Sequence, residues 1–122
     1  MVLEEEFEKV FTCSKSKYAA QFMTICYSTK PEWIDKIPAV IQKSDKTARP
    51  QVINQENNPM VWSLMKNYQK LSGIPVLLNT SFNIHNEPII EKPSHAFQHL
   101  VDNVVDKLVI GNYVYENRRR KN

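Results

Sequence analysis

The spacing of apolar residues along the chain predicts helices at several places. Asn58 followed by Pro59 is a strong start signal, because asparagine caps a helix and proline fits its first turn. Apolar residues then fall on one face until Gly73, a residue that readily adopts the left-handed stop conformation. A second helix is expected to begin near Pro93, and a short one is expected over residues 2–11 behind an acidic first turn.

Short apolar runs between these helices predict β-strands. Residues 18–27 carry two alternating sets of largely apolar side chains, which indicates a strand buried on both faces. An extended segment is expected over 49–53, where proline restricts the preceding residue, and further strands over 74–78, 107–110 and 113–115. This alternation predicts an α/β fold, a twisted mixed β-sheet with helices packed on it, in a chain of one domain's length.

A polar loop with the sequence NTSFN directly follows the apolar run over 74–78. The carboxyl end of a strand is where open α/β sheets usually place their ligands, and amide and hydroxyl groups there can surround a phosphate or a carbonyl. The candidate ligand-binding residues of this loop are Asn79, Thr80, Ser81 and Asn83. The alternative is a turn that merely reverses the chain, because such side chains readily bond their own backbone.

The distribution of charge argues against a nucleic-acid partner. The net charge is +3, and the basic residues of the terminal segment 118–122 supply more than all of it. A phosphate-binding face needs basic residues spread over a surface rather than gathered at one end. The segment 118–122 is therefore expected to be a solvated basic tail.

Nothing in the sequence predicts export or a membrane. No apolar stretch is long enough to span a bilayer, and three glutamates follow Met1 closely where a signal peptide would carry basic residues. We therefore expect a cytoplasmic protein without membrane contact. Cys13 and Cys26 belong to no metal-binding or redox motif, which favours reduced thiols.

Three sequence motifs in this order, DKTARPQ, SGIPVLLNTSFN and EPII, resemble the C-terminal segment of O-carbamoyltransferases of the nodulation and antibiotic-tailoring type. The resemblance spans nearly the whole chain. It implies a single carbamoyltransferase C-terminal domain over 1–117, with a YrdC-like α/β fold that is incomplete relative to the full family domain. It also implies that the larger N-terminal carbamoyltransferase domain of those enzymes is a missing partner of this chain.

The resemblance implies that the domain joins carbamoyl phosphate and ATP, as its magnesium complex, into carbamoyl-adenylate for transfer to a hydroxyl acceptor. No cofactor or metal intrinsic to this chain is expected. Forming the adenylate requires charge neutralisation and alignment more than a protein nucleophile. Arg49 is the expected catalytic residue, because a guanidinium grips oxyanions through paired donors. Thr47 and Gln51 alternate with Arg49 on one side of the extended segment and are expected to bind ligand with it.

Two positions depart from the family pattern, because Lys46 and Asn86 stand where relatives usually have glycine. Asparagine tolerates the left-handed backbone conformation well, whereas Lys46 changes a turn beside Arg49. His95 and His99 have a spacing that fits one helix face, but no third zinc ligand is evident. We therefore expect no metal site at this pair.

Two interpretations of the function stay open at this point. In the first, the chain is the C-terminal part of a carbamoyltransferase and is incompetent, or nearly so, without the N-terminal portion. In the second, it is a free-standing nucleotide-binding or partner-docking module without catalysis of its own. A homo-oligomer is a further expectation, because an incomplete domain exposes apolar surface that a second copy can cover.

Overall fold

The computed structural model describes residues 1–12 and 17–117, so Cys13 and the basic tail lie outside the described residues. The chain divides into two compact units, Met1–Asn79 and Thr80–Asn122. The helices are α1 (Phe7–Val10), α2 (Pro31–Ile34), α3 (Pro59–Ser72) and α4 (Pro93–Val101). The strands are β1 (Val2–Leu3), β2 (Tyr27–Ser28), β3 (Thr47–Ala48), β4 (Val52–Ile53), β5 (Lys107–Ile110) and β6 (Tyr113–Glu116). Short 3₁₀ helices cover Glu4–Glu6, Ala19–Phe22 and Pro38–Val40.

The first unit contains β1, a strand that is paired on both of its edges. Val2 pairs in parallel with Val52 of β4 and forms an antiparallel bridge with Val76. The main-chain N–H of Val2 donates to the carbonyl of Gln51 at 2.9 Å. Because Val2, Val52 and Val76 are all buried, the strand pair and the bridge fix the segments on either side of β1.

The start of the chain differs from the prediction of one helix over 2–11. Val2 and Leu3 are fully buried in β1, and only α1 is α-helical within that range. The strand predicted over 74–78 is reduced to the single bridge at Val76. At the start of the chain tertiary β pairing overrides local helix propensity, because pairing buries more apolar surface than an isolated turn of helix would.

Aromatic packing holds α1 in the core of the first unit. The Phe7 ring is fully buried, with its centroid 5.2 Å from that of Tyr27 in an edge-to-face arrangement and 5.5 Å from that of Phe11. Val10 is buried in the same cluster. Since α1 has only four residues, its stability comes from this packing and not from helix propensity.

The strand predicted over 18–27 is wrong for most of its length. Residues 19–22 form a 3₁₀ helix, and Met23 ends it in the left-handed conformation at φ 56°. Tyr18 and Phe22 are exposed, and their rings meet edge to face with the centroids 5.4 Å apart. The apolar alternation therefore does not correspond to a strand buried on both faces.

The helix predicted after Asn58 is confirmed as α3. The Asn58 side chain accepts a hydrogen bond from the main-chain N–H of Val61 at 3.3 Å, and Pro59 occupies the first turn. Gly73 ends the helix at φ 75°, and its N–H donates to the carbonyl of Gln69 at 2.8 Å. The face of α3 that carries Met65 packs against Leu3 and Ile53 within the first unit.

The second unit contains α4 and the antiparallel hairpin of β5 and β6, as the sequence predicts. Leu108 of β5 pairs with Tyr115 of β6, and Leu108 packs against Ala96 and Leu100 of α4. Asn117, just after β6, donates its side-chain amide to the carbonyl of Val101 at 3.1 Å. This bond satisfies an acceptor at the C-terminal end of α4 and fastens the hairpin to the helix.

The predicted α/β class is confirmed, because helices occur together with one parallel and two antiparallel strand pairs. In the described part of the chain the strands form three separate two-stranded sheets, two in the first unit and one in the second. Within residues 1–12 and 17–117, no helix has both the length and the apolar character needed to cross a bilayer.

Candidate functional site

One face of the first unit contains a cavity of about 510 Å³. Its lining comes from the start of β1, the segment 39–42, β3 with the two residues that follow it, and the segment 76–79. Polar side chains on this lining are Gln42, Asp45, Thr47, Arg49 and Asn79. A volume of this size and a few convergent polar groups are typical of a site for a small ligand.

Arg49 lies between β3 and β4, on the exposed side of the extended segment. The adjacent residues Ala48 and Pro50 are buried, whereas Thr47 and Gln51 are half-buried, so burial alternates along the segment. Within residues 1–12 and 17–117, the guanidinium has no hydrogen bond and no ion pair. Its donors are therefore available to an oxyanion in the cavity.

The side-chain amides of Asn79 and Gln51 form a pair beside this cavity. Nδ2 of Asn79 donates to Oε1 of Gln51 at 2.8 Å and lies 3.9 Å from the sulfur of Met23. The main chain of Gln51 is held by Val2, so Asn79 is anchored through Gln51 to β1. Asn79 lines the cavity and Gln51 supports it, and Oδ1 of Asn79 has no donor within the described part of the chain.

Thr47 uses its side chain to close the turn that precedes β3. Its main-chain N–H and its hydroxyl both donate to Oδ1 of Asp45, at 3.0 Å and 2.8 Å. These two bonds hold the pKa of the Asp45 carboxyl below its usual value, since they favour the ionised form. The cavity therefore carries the Asp45 carboxylate as well as the Arg49 guanidinium at neutral pH.

Replacing Thr47 with valine is expected to raise the pKa of Asp45 toward the usual aspartate value. Valine removes the hydroxyl donor and leaves the main-chain donor in place, so the pKa should rise in part. Because the folded pKa is depressed, the stability that this contact contributes is present above the unfolded pKa of about 3.9 and is lost as the pH falls. A carbon-13 NMR titration of the carboxyl checks this, with Thr47→Ser as the matched control that should titrate like the parent.

The other predicted ligand-binding residues, Thr80, Ser81 and Asn83, belong to the second unit. Nδ2 of Asn83 donates to the carbonyls of Ile84 at 3.0 Å and Glu87 at 2.9 Å, and the Ser81 hydroxyl donates to Oδ1 of Asn83. Ser81 and Asn83 thus shape the loop itself, which is the turn-forming role that the sequence left open. Thr80 is exposed, and its hydroxyl has no hydrogen-bond partner among the residues that the structure describes.

The histidines of α4 have different surroundings. His95 is exposed, whereas His99 is buried, and both line a cavity of about 540 Å³ in the second unit together with Glu87 and Glu91. Among residues 1–12 and 17–117, no group of three or more His, Cys, Asp or Glu side chains is arranged to hold a metal ion.

A family model described as Carbamoyltransferase C-terminus matches residues 1–117 of the chain. The chain belongs to this family. The family match agrees with the resemblance carried by the motifs around Arg49 and the NTSFN loop. The match rests on the sequence and is independent of the geometry of the cavity.

Relatives of this carbamoyltransferase C-terminus domain are much longer proteins. An uncharacterized protein of Methanocaldococcus jannaschii is 33% identical over 96% of this chain and 19% of its own length. Nodulation protein NolNO of Sinorhizobium fredii is 32% identical over 96% of this chain and 17% of its own length. Nodulation protein U of Rhizobium tropici is 47% identical over 52% of this chain and 11% of its own length. The chain spans about a fifth of the length of the relatives that it matches over most of its own length.

The two positions at which the resemblance implies a glycine both have a left-handed backbone conformation. Lys46 has φ 57° and Asn86 has φ 69°. Glycine reaches this conformation freely, while a residue with a Cβ atom is disfavoured there by about 1–2 kcal/mol. Lys46 is held by hydrogen bonds from its N–H to Gln42 and from the N–H of Thr29 to its carbonyl, both 3.0 Å long. The turn beside Arg49 therefore keeps the backbone conformation that glycine would adopt.

Two side chains of the first site carry no functional assignment in the sequence analysis. Asp45 lines the first cavity, and Met23 contacts Asn79. The spacing of Asp45 and Thr47 is a recognisable signal for an aspartate turn. Met23 had no such signal, because its contact joins residues 56 positions apart.

Proposed function

We propose that this chain contributes to the site at which a carbamoyltransferase joins carbamoyl phosphate and ATP into carbamoyl-adenylate, the carbamoyl donor for a hydroxyl acceptor. The observation that carries the proposal is Arg49, whose guanidinium lines the cavity of the first unit without a partner in residues 1–12 and 17–117. Membership of the carbamoyltransferase C-terminus family supports the carbamoyl chemistry.

The proposed reaction is a displacement at the α-phosphorus of ATP. Water hydrolyses carbamoyl phosphate to carbamate and inorganic phosphate, a carbamate oxygen then forms a bond to the α-phosphorus, and the bond from that phosphorus to pyrophosphate breaks, its electron pair leaving with pyrophosphate. Negative charge develops on the phosphoryl oxygens in the transition state. Hydrogen-bond donors held in fixed positions toward those oxygens therefore lower the activation barrier. Arg49 offers two parallel N–H donors in the geometry that such oxygens accept.

Asn79 supplies a second, uncharged contact in this proposal. Because its Nδ2 is directed to Gln51, its Oδ1 remains as an acceptor for an N–H or O–H group of the ligand. The carbamoyl amide and the nucleoside both carry such donors. The contact with Gln51 fixes the orientation of Asn79 before the ligand arrives, which reduces the entropy lost on binding.

The charge on the cavity lining predicts that the chain alone binds nucleotide weakly. Among the described lining residues, Arg49 has the only basic side chain, and the Asp45 carboxylate opposes it. A triphosphate needs several cations for tight binding and for catalysis, so further cations would come from other parts of a longer carbamoyltransferase or from the magnesium ion that accompanies ATP. The proposal therefore assigns this chain one part of the site and no turnover of its own.

Titration of the isolated chain with magnesium ATP or pyrophosphate is expected to shift NMR signals of residues 47–51 and 79–83. Replacing Arg49 with alanine should weaken the binding at least several-fold, since a hydrogen bond to a charged group contributes about 1.5–3 kcal/mol. Lys70→Ala, which removes an exposed charge of α3 away from the cavity, is the matched control and should bind like the parent. Shifts centred on another surface, or equal binding by Arg49→Ala, would remove this cavity from the nucleotide site.

A further inference from the structure

The loop from Thr80 to Glu87 is held together by the side chain of Asn83. Its amide donates to the main-chain carbonyl of Glu87 at 2.9 Å, and the main-chain N–H of Glu87 donates to Ile84 at 3.0 Å. The N–H of Ile90 donates to the carbonyl of Phe82, also at 3.0 Å. The positions of Ser81 and Asn83 therefore depend on where Phe82 and Glu87 are held.

His99 of α4 contacts both of these residues. Its ring meets that of Phe82 edge to face, with the centroids 5.6 Å apart, and its Nε2 lies 3.9 Å from a carboxylate oxygen of Glu87. His99 is only 8% exposed, and within residues 1–12 and 17–117 its Nδ1 has no hydrogen-bond partner. The other ionisable side chains beside it are Glu91 and His95, which line the same cavity.

We propose that His99 is a positioning residue, which holds the polar loop Thr80–Glu87 in place through Phe82 and Glu87. The histidine is itself fixed, because it lies in the last turn of α4 and its carbonyl accepts a hydrogen bond from Val104 at 2.9 Å. The role of His99 rests on the proposed function in one respect. Ser81 and Asn83 would bind a nucleotide when the loop is in its fixed conformation.

The relative strength of the two contacts follows from their exposure. The Glu87 side chain is 55% exposed, so solvent screens its attraction to the imidazole, and the 3.9 Å separation is too long for a direct hydrogen bond. The aromatic contact with Phe82 involves the buried ring and is the stronger of the two. Loss of both contacts should therefore affect the loop more than loss of the Glu87 contact alone.

Amide hydrogen exchange of the ligand-free full chain tests the proposal. The N–H groups of Glu87 and Ile90 report on opening of the loop, and those of β5 and β6 serve as internal references. His99→Phe and Glu87→Gln each remove the polar contact and should raise exchange in the loop about threefold. His99→Ala removes both contacts and should raise it about tenfold, while exchange in the hairpin changes little.

A double-mutant cycle separates positioning from a general loss of packing. The variant with both Glu87→Gln and His99→Phe should exchange like either single variant, because the two substitutions remove the same contact. His95→Ala, four residues earlier on α4 and exposed, is the matched control and should leave loop exchange unchanged. The proposal would be overturned if the rise in loop exchange in the double variant equalled the product of the rises in the two single variants. It would also be overturned if loop exchange stayed unchanged in all His99 and Glu87 variants.

The same variants distinguish failure of this inference from failure of the proposed function. If the parent chain binds magnesium ATP, His99→Ala should weaken binding by the factor by which it lowers the population of the closed loop, a small factor while the closed loop remains the major state. If the parent chain binds no nucleotide, the proposed function is contradicted, and the exchange data still decide whether His99 positions the loop. A variant in which the open loop becomes the major state and nucleotide affinity is undiminished would support the positioning role and remove the loop from the nucleotide site.

Discussion

Arg49→Ala is expected to lower the carbamoyl-phosphate-dependent exchange of pyrophosphate into ATP on the order of 10²–10³-fold in an enzyme completed with the N-terminal portion of a longer carbamoyltransferase. The exchange measures formation and reversal of the adenylate and needs no acceptor. Arg49 provides the only basic side chain on the described lining of the cavity. Its loss therefore removes the positive side-chain charge that this chain offers to the reacting phosphate. Arg49→Lys should recover part of the exchange, since it keeps the charge and loses the planar fork.

The chain by itself is expected to give no such exchange. Restoring the N-terminal portion, in one polypeptide or as a separate one, should bring the exchange back. In the restored enzyme Asn79→Ala and Ser81→Ala should lower it, while Lys70→Ala should leave it unchanged. Robust exchange by the 122-residue chain alone would show that the site is complete without any other segment and would contradict this prediction.

The elements that the sequence predicted well are those whose signals are local. α3 has its capping residue, its proline in the first turn and its terminal glycine within the segment itself, and all three adopt the expected roles. The hairpin of β5 and β6 is likewise confirmed, since its two strands lie close together in sequence. The YrdC-like assignment of the fold stays a prediction.

Elements that depend on distant partners were predicted less well. Val2 and Leu3 form a strand because Val52 and Ile53 lie beside them, a pairing across about fifty residues that no local pattern shows. The aromatic residues of 18–27 suggested a buried strand, yet most of this range is not β-strand. Apolar character alone does not establish burial in the core, since Tyr18 and Phe22 stay exposed.

The candidate site shows the same division. The alternation of Thr47, Arg49 and Gln51 is visible in the sequence and is matched by alternating burial in the structure. The directions of the hydrogen bonds are not visible there: Thr47 donates to Asp45, and Gln51 holds Asn79. These side chains can each serve a ligand or their own backbone, and only the folded positions decide between the two.

Phe7→Ala is expected to destabilise the first unit by about 3–5 kcal/mol, the range found when a buried phenylalanine is truncated in a packed core. The ring of Phe7 is fully buried between Phe11 and Tyr27, so its removal leaves a cavity and breaks two aromatic contacts. Since small domains are stable by only about 5–15 kcal/mol, the loss is a large fraction of the total.

Urea denaturation followed by tryptophan fluorescence measures this loss, because both tryptophans, Trp33 and Trp62, lie in the first unit and report on its unfolding. Phe22→Ala is the matched control: the same truncation at an exposed ring should cost no more than about 1 kcal/mol. Phe7 packs in one cluster with Val2 and Val76, which line the cavity, so Phe7→Ala should also weaken nucleotide binding without touching a polar group. Equal denaturation midpoints for the two variants would contradict the prediction. They would mean that packing of α1 does not stabilise the core beside the Arg49 cavity.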